Sequence, residues 1–263
     1  MITSTSSSQV KHVVNLQKKA KLRKEEKQFV VEGVKMVSEA PADRLVKVYV
    51  SETFKADEEF LERMNYDSIG KDVLEIVTDN VFMRMADTQT PQGIMAVVRM
   101  SDTDLEGILS DKHNPLLLII ENLQDPGNLG TIVRMAEGAG VTGIIMSSNT
   151  VDIYNPKTIR STMGSLYRVP VIYVDDICEA ADVCKSKGVT VYAAHLKGTD
   201  NYNKKDYTNP TAFMIGNEGN GLTDKLADKA DEYVRIPMQG EVESLNAAIA
   251  CTILTYEAVR QRL

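Results

Sequence analysis

Six short apolar runs in the second half of the chain constrain its fold more than any other feature. They are "LLLII" near 116–121, "TGIIMS" at 142–147, "VPVIYV" at 169–174, "VTVYAA" at 189–194, "TAFMIG" at 211–216 and "YVRIP" at 233–237. Each is too short to be an independent helix and is continuously apolar rather than alternating, the pattern of a strand buried on both faces. Helical patterns lie between most of them. Strands of this kind separated by helices predict an α/β domain built on a mostly parallel sheet with helices on both faces. Ligands of such sheets bind outside the carboxyl ends of the strands, so the loops that follow the runs are where function is expected.

The first half reads differently. Residues 9–28, "QVKHVVNLQKKAKLRKEEKQ", form a helix-like segment with seven cations, among them Lys11, Lys18, Lys19, Arg23 and Lys24, against two carboxylates. The whole chain carries a net charge of −7, so the remainder is more acidic still. A dense basic segment on an acidic body is an RNA-contacting arrangement as well as a solvated helix face, and charge alone does not choose. Strand and helix patterns then alternate through "TPQGIMAVVRM", which predicts a compact α/β unit over residues 1–100. "SDTDLEGILSDKHN" lacks strand character, and a linker is expected at 101–113, followed by a second domain at 114–263.

With 43% hydrophobic and 25% charged residues the composition is that of a soluble globular protein. The opening "MITSTSSSQV" has no apolar signal region and no run nears the roughly 20 residues of a bilayer span, so a cytoplasmic protein with no membrane partner is expected. Cys178, Cys184 and Cys251 form no paired spacing and read as buried free thiols; with His12, His113 and His195 scattered, no metal site is expected. His195 follows a strand and could line a pocket, although a loop histidine without a partner is the commoner case.

"GAGVTG", Gly138 to Gly143, matches the GxGxxG dinucleotide fingerprint. That fingerprint works only between a strand and the helix it opens, where pyrophosphate meets free N–H groups. Here the glycines follow a helical pattern, so Gly138 and Gly140 read as helix-stop residues tolerating positive φ, and a nicotinamide oxidoreductase is not expected. The strand-to-helix position belongs to "ENLQDPGNLGTIVR". Two further loops of unusual composition follow later strands: "GNEGNGL" and "IPMQGEVESLNAA".

Together these loops resemble the SpoU/TrmH family of RNA 2′-O-ribose methyltransferases. Asn122, Asp125, Pro126, Asn128, Gly130 and Arg134 match its first motif; Gly216, Glu218, Gly219 and Gly221 its second; Ile236, Pro237, Met238, Gly240, Ser244, Leu245 and Asn246 its third. "FVVEG" and "TPQGIMAVV" resemble the small L30e-like substrate-binding domain of its ribosomal-RNA members. After Ser-Leu-Asn many members carry Val-Ser, where this chain has Ala247 and Ala248. The resemblance implies S-adenosyl-L-methionine as cofactor, RNA as substrate, a homodimer, and a trefoil knot in the C-terminal backbone that general topology rules would not predict.

It further implies a cofactor site at Gly216, Glu218, Gly219, Ile236, Met238, Ser244, Leu245 and Asn246, and catalytic positions at Asn128, Arg134, Glu218, Ser244 and Asn246. Read physically, glycines in "GNEGNGL" let backbone approach a ligand, beyond what a tight turn needs. Ser244 before a helical pattern is equally well a plain N-cap. Arg134 carries a planar guanidinium, a group that rarely gives up its proton, which suits gripping a phosphate and stabilising an alkoxide better than acting as a base. Glu218 would orient Arg134 or Asn128. The expected activity is ribose 2′-O-methylation of 23S ribosomal RNA; the alternatives are a transfer-RNA methyltransferase or a non-catalytic RNA-binding module on the same fold.

Overall fold

The structure, a computed structural model, describes residues 1–55, 72–110, 114–195, 197–198 and 200–263. They divide into two compact units: residues 1–101 with 154–167, and residues 102–153 with 168–263.

The first unit begins with two helices, α1 (Ser8–Lys18) and α2 (Ala20–Glu26), where the sequence reads as one basic segment. Lys19 breaks them with an extended backbone, and the break is stabilised by Arg23. Its guanidinium donates to the carbonyls of Leu16 and Gln17 at 2.6 and 2.8 Å, at the end of α1, and is only 3% exposed. Arg23, expected among the RNA-contacting cations, is thus a buried helix cap; a guanidinium satisfies terminal carbonyls that have no helical partner. Lys11, Lys18, Lys19 and Lys24 are exposed.

Strand β1 (Gln28–Glu32), helix α3 (Val34–Ser38), β2 (Leu45–Ser51), β3 (Leu74–Val77), helix α4 (Asp79–Met85) and β4 (Ile94–Arg99) follow. The four strands form one sheet ordered β1-β4-β2-β3, antiparallel except for β2 with β3. Val10, Val13 and Leu16 of α1 and Val81, Phe82 and Met85 of α4, at helical spacing, pack with Val30, Tyr49, Met95 and Val97 of the sheet.

The second unit opens inside the expected linker. Helix α5 (Leu105–Leu109) is capped by Asp104, whose carboxylate accepts from the Gly107 N–H at 2.8 Å. Its Ile108 is buried in the second unit's core, so residues 102–110 belong to that unit; 111–113 lie outside the described residues. Acidic and turn-forming residues on either side hid a helix of only five residues.

Then come β5 (Leu116–Ile120), α6 (Pro126–Gly138), β6 (Gly143–Ser147), α7 (Pro156–Thr162) belonging to the first unit, β7 (Val171–Val174), α8 (Ile177–Ser186) and β8 (Thr190–Ala194). The chain finishes with β9 (Asp200–Asn201), β10 (Thr211–Ile215), α9 (Asp224–Ala227), β11 (Glu232–Arg235) and α10 (Ala247–Arg262). Strands β5 to β11 form a seven-stranded sheet ordered β7-β6-β5-β10-β8-β11-β9, every pairing parallel. All residues of β5, β6 and β10 are buried. From β5 the chain runs outward through β6 and β7, then crosses to β8 and later inserts β10 beside β5. The carboxyl ends of β5 and β10 therefore flank the point where strand order reverses, which is where a crevice opens.

The GxGxxG glycines lie where the strand-helix order placed them. Gly138 ends α6 in ordinary helical backbone, Gly140 alone takes positive φ (+69°), and Gly143 begins β6, where a Cβ would stand 2.4 Å from Ile108. Cys178, Cys184 and Cys251 are buried and free, and burial pushes the Cys184 and Cys251 thiols up to about 11 and about 12. No helix among the described residues is long and apolar enough to cross a membrane.

Candidate active site

Three loops meet at the carboxyl ends of β5, β10 and β11. The first leaves β5 through Glu121 and Asn122, and Asn122 takes the left-handed conformation (φ +54°) that asparagine tolerates better than most residues. Its amide N–H donates to Ser147 Oγ at 2.9 Å, and Ser147 Oγ donates to Asn122 Oδ1 at 3.1 Å. Helix α6 then starts by local chemistry: Asp125 is the N-cap, accepting from the Asn128 N–H at 2.7 Å, and Pro126 occupies a first-turn position where a missing N–H does no harm. Glu121, 6% exposed, accepts from the Thr223 N–H and hydroxyl at 2.7 and 2.8 Å and ties this loop to the start of α9.

The second loop is a tight hairpin. Asn217 and Gly221 exchange both backbone hydrogen bonds at 3.0 Å. Gly221 has positive φ (+68°), and Asn217 Oδ1 accepts from the Gly219 and Asn220 N–H groups. Gly216 admits no side chain, since a Cβ would lie 2.1 Å from Gly221 C and 2.2 Å from Leu222 N.

Glu218, carried at the tip of that hairpin, binds the first loop. Its carboxylate accepts from the N–H groups of Gln124 and Asp125 at 3.1 and 2.9 Å and from Asn128 Nδ2 at 3.1 Å. Asn128 Oδ1 in turn accepts from Asn246 Nδ2 at 2.9 Å. One residue from each loop is therefore linked in a relay, Glu218 to Asn128 to Asn246, and Glu218 orients Asn128 rather than Arg134. Partial burial works to raise the Glu218 pKa, but the donors from Asp125, Asn128 and Gln124 outweigh it and hold the carboxyl below its ordinary 4.5. A depressed carboxylate stabilises the fold above its unfolded pKa and loses that contribution only as pH falls through the lower folded value. Glu218 therefore stays ionised across the whole neutral range.

Asn246 Oδ1 also accepts from the Ala248 and Ile249 N–H groups at 2.9 and 3.3 Å, making Asn246 the N-cap of α10. The cap anticipated at Ser244 lies two residues later. The third loop does not become helical until after Asn246, and Ser244 lines a cavity instead.

The cavity, of about 280 Å³, is lined by the second and third loops and the end of β8. Gly216, Glu218, Gly219, Ile236, Met238, Ser244 and Leu245 line it; Asn246, expected with them, does not, because its amide is turned to Asn128 and the helix end. His195 is a lining residue with partners: its ring stacks on Tyr233 at 5.3 Å and its Nδ1 accepts from the Lys197 N–H at 3.0 Å.

Compared with known proteins, residues 115–256 match the SpoU rRNA Methylase family and residues 7–96 the MRM3-like substrate binding domain. The chain belongs to the SpoU rRNA methylase family. It is 33% identical over 97% of both chains to the Bacillus subtilis 23S rRNA (guanosine(2553)-2′-O)-methyltransferase RlmP. It is 32% identical to the Streptomyces viridochromogenes 23S rRNA (uridine(2479)-2′-O)-methyltransferase, over 90% of this chain and 84% of that one. Among solved structures, the AdoMet-bound rRNA methyltransferase from Sinorhizobium meliloti superposes with a TM-score of 0.86 at 30% identity, over 100% of this chain and 98% of that one. Membership carries the trefoil knot expected of the backbone.

Within this family frame, three expected catalytic residues lie apart from the cavity lining: Asn128 and Asn246, on the relay, and Arg134. Arg134 is exposed on α6 and makes no hydrogen bond or ion pair among the described residues. The motif comparison missed Asn217, Asn220 and Leu222 in the glycine loop and Ala194 at the end of β8. Their position at the carboxyl ends of buried strands was the available signal. Ala247, where many family members carry valine, also lines the cavity.

Proposed function

We propose that this protein is a methyltransferase that uses S-adenosyl-L-methionine to methylate a ribose 2′-hydroxyl of 23S ribosomal RNA. The observation that carries the reading is the cavity at the carboxyl ends of β10, β8 and β11 with the Glu218–Asn128–Asn246 relay beside it. The residues present fit the cofactor: Gly216 brings backbone where a Cβ has no room, and Ile236, Met238, Leu222 and Leu245 offer apolar walls for a flat adenine whose edge backbone groups can read. Relatives named for 23S rRNA ribose methylation and a neighbour solved with AdoMet support the same assignment. A ribosomal substrate puts the work in the cytoplasm.

S-adenosyl-L-methionine supplies a sulfonium methyl, electrophilic enough that most of the remaining work is positioning. The relay holds Asn128 and Asn246 with assigned amide orientations, and Ser244 presents a hydroxyl to the cavity. Arg134, a permanent cation without a competing partner among the described residues, grips the target phosphate and stabilises the oxygen anion left when the 2′-hydroxyl loses its proton to water. Ribose-methylation mapping of cellular RNA with and without the gene tests the assignment. Loss of one 23S site is expected; loss confined to transfer RNA would reassign the substrate, and no change would leave a non-catalytic RNA-binding module.

The first unit, residues 1–101 with 154–167, is proposed to hold the RNA through α1 and α2. Replacing Lys18, Lys19 and Lys24 with glutamine is expected to weaken RNA binding and to flatten its salt dependence, each lost phosphate contact lowering the log–log slope by about 0.7 to 0.9. Arg23 stays, because removing a buried cap would confound folding with binding. Filter binding across a salt series checks this, and an unchanged slope would make the helices a solvated face.

The homodimer implied by the family has support in α10. Cys251, Leu254 and Ala258 are buried, yet Ile249 and Tyr256 are 53% and 45% exposed. Two large apolar side chains one apart by seven residues share a helix face. A second copy covering it predicts a dimer mass in sedimentation equilibrium and a monomer for the Ile249→Glu, Tyr256→Glu variant; a monomeric parent protein would refute it.

A further inference from the structure

A second cavity, of about 270 Å³, lies on the other side of the glycine hairpin. It is lined by Asn122, Gln124, Asn149, Asn217, Asn220 and Thr223, with Gly221 and Leu222 completing the wall. No lining residue is charged. Five of these side chains are carboxamides, which offer donor and acceptor side by side in one plane. That lining does not suit a phosphate or a carboxylate, either of which would call for cations. It suits a flat neutral heterocycle whose edge carries donors and acceptors.

The lining is built and oriented. Gln124 Nε2 donates to the carbonyls of Asn122 and Asn149 at 3.0 and 2.9 Å, which leaves Gln124 Oε1 as an acceptor of fixed direction. Asn122 Oδ1 is engaged by Ser147, which leaves Asn122 Nδ2 as a donor. Asn217 is held through both ends of its amide, donating to the Asn122 carbonyl at 2.8 Å and accepting from Gly219 and Asn220. The side-chain amides of Asn149 and Asn220 make no hydrogen bond among the described residues, so one framework of tied amides presents two untied ones.

Asn217, Asn220, Gly221 and Leu222 line both cavities, so the hairpin is a shared wall. A ribose and its own base are joined by a single glycosidic bond, and a base site for the methylated nucleotide has to adjoin the methyl-donor site. We propose that this amide-lined cavity receives the nucleobase of the nucleotide whose ribose is methylated and reads its hydrogen-bonding edge. The inference rests on the ribose-methyltransferase reading. It also supplies a chain-specific element that family membership does not, since the two relatives compared above are named for guanosine and uridine.

The test uses transcripts of the methylated 23S segment with each of the four bases at the target position, in single-turnover methylation by the full-length protein. Asn149 is the residue to change, because it is exposed, its side chain is untied, and it lines only the second cavity. The parent protein is expected to favour the native base, and Asn149→Ala to shrink that preference by about tenfold through loss on the native base alone, the scale of one lost edge contact. Asn149→Asp, which keeps the shape but removes the donor, is expected to change the order of preference. Calorimetry with S-adenosyl-L-methionine should give parental affinity for both variants. Base preferences identical to the parent in both, or an equal rate loss on all four bases, would overturn the proposal. A parent protein that methylates no 23S transcript would instead sink the enzymatic reading on which it rests.

Discussion

Arg134→Ala is expected to slow ribose methylation by about 10²- to 10³-fold, the scale of losing one donor to a developing oxyanion. S-adenosyl-L-methionine affinity should stay within about twofold, a change of only ~0.4 kcal/mol. The separation follows from placement: Arg134 projects from the exposed face of α6 and lines neither cavity, whereas the proposed methyl-donor site is made by the loops after β10 and β11. Ile132, Val133 and Ala136 bury the opposite side of the same helix, so truncating Arg134 removes no core contact and the fold should be unaffected. Arg134→Lys is expected to restore little, because a point charge does not reproduce a planar fork of donors. Single-turnover methylation beside calorimetry decides the matter. A rate within about twofold of the parent, worth ~0.4 kcal/mol of barrier, would remove Arg134 from catalysis.

The second large effect is a contrast between two glycines three residues apart. At Gly216 an added Cβ meets the Gly221–Leu222 peptide group, 2.1 Å from Gly221 C and 2.4 Å from Gly221 O, and backbone cannot swing away as a side-chain tip can. Gly216→Ala must therefore push the Asn217–Gly221 hairpin off β10, and the hairpin carries Glu218. Cofactor affinity is expected to fall by at least about tenfold, ~1.4 kcal/mol, and overpacking of this kind destabilises a fold by about 1–3 kcal/mol. Methylation should fall further than binding, since Asn128 loses the carboxylate that orients it. At Gly219 a Cβ would meet only Asn217 Oδ1, at an ordinary 3.6 Å, and the Gly219 N–H keeps its bond to that oxygen. Gly219→Ala is expected to bind cofactor within about threefold of the parent, ~0.7 kcal/mol. Equal cofactor affinity for the two variants would show that close backbone approach at Gly216 is not what shapes the site.

What the sequence determined by itself is what local physics controls. Continuous apolar runs specified buried strands, and the positions of the three unusual loops after them followed from strand and helix order. Asp125 followed by Pro126 is a local helix-start signal, and the glycines of "GAGVTG" were excluded as a phosphate cradle because they come after a helix. What only the tertiary structure decided depends on partners distant in the chain. The insertion of β10 between β5 and β8 is a matter of strand order, on which periodicity is silent, yet it is this order that places Glu218 within reach of Asn128. The choice of Asn246 over Ser244 as helix cap turns on where the third loop leaves the cavity, and both residue types cap equally well in isolation. Arg23 looked like six other cations until the break at Lys19 turned it onto the end of α1. Residues 154–167 joined the first unit through contacts such as Tyr154 with Phe29, ring centres 4.6 Å apart, and Tyr167 with the Met36 carbonyl at 2.8 Å. Hydrogen bonds and periodicity within a few residues are written locally; a contact between residues more than a hundred positions apart is selected by packing of the whole core, and no window of sequence contains it.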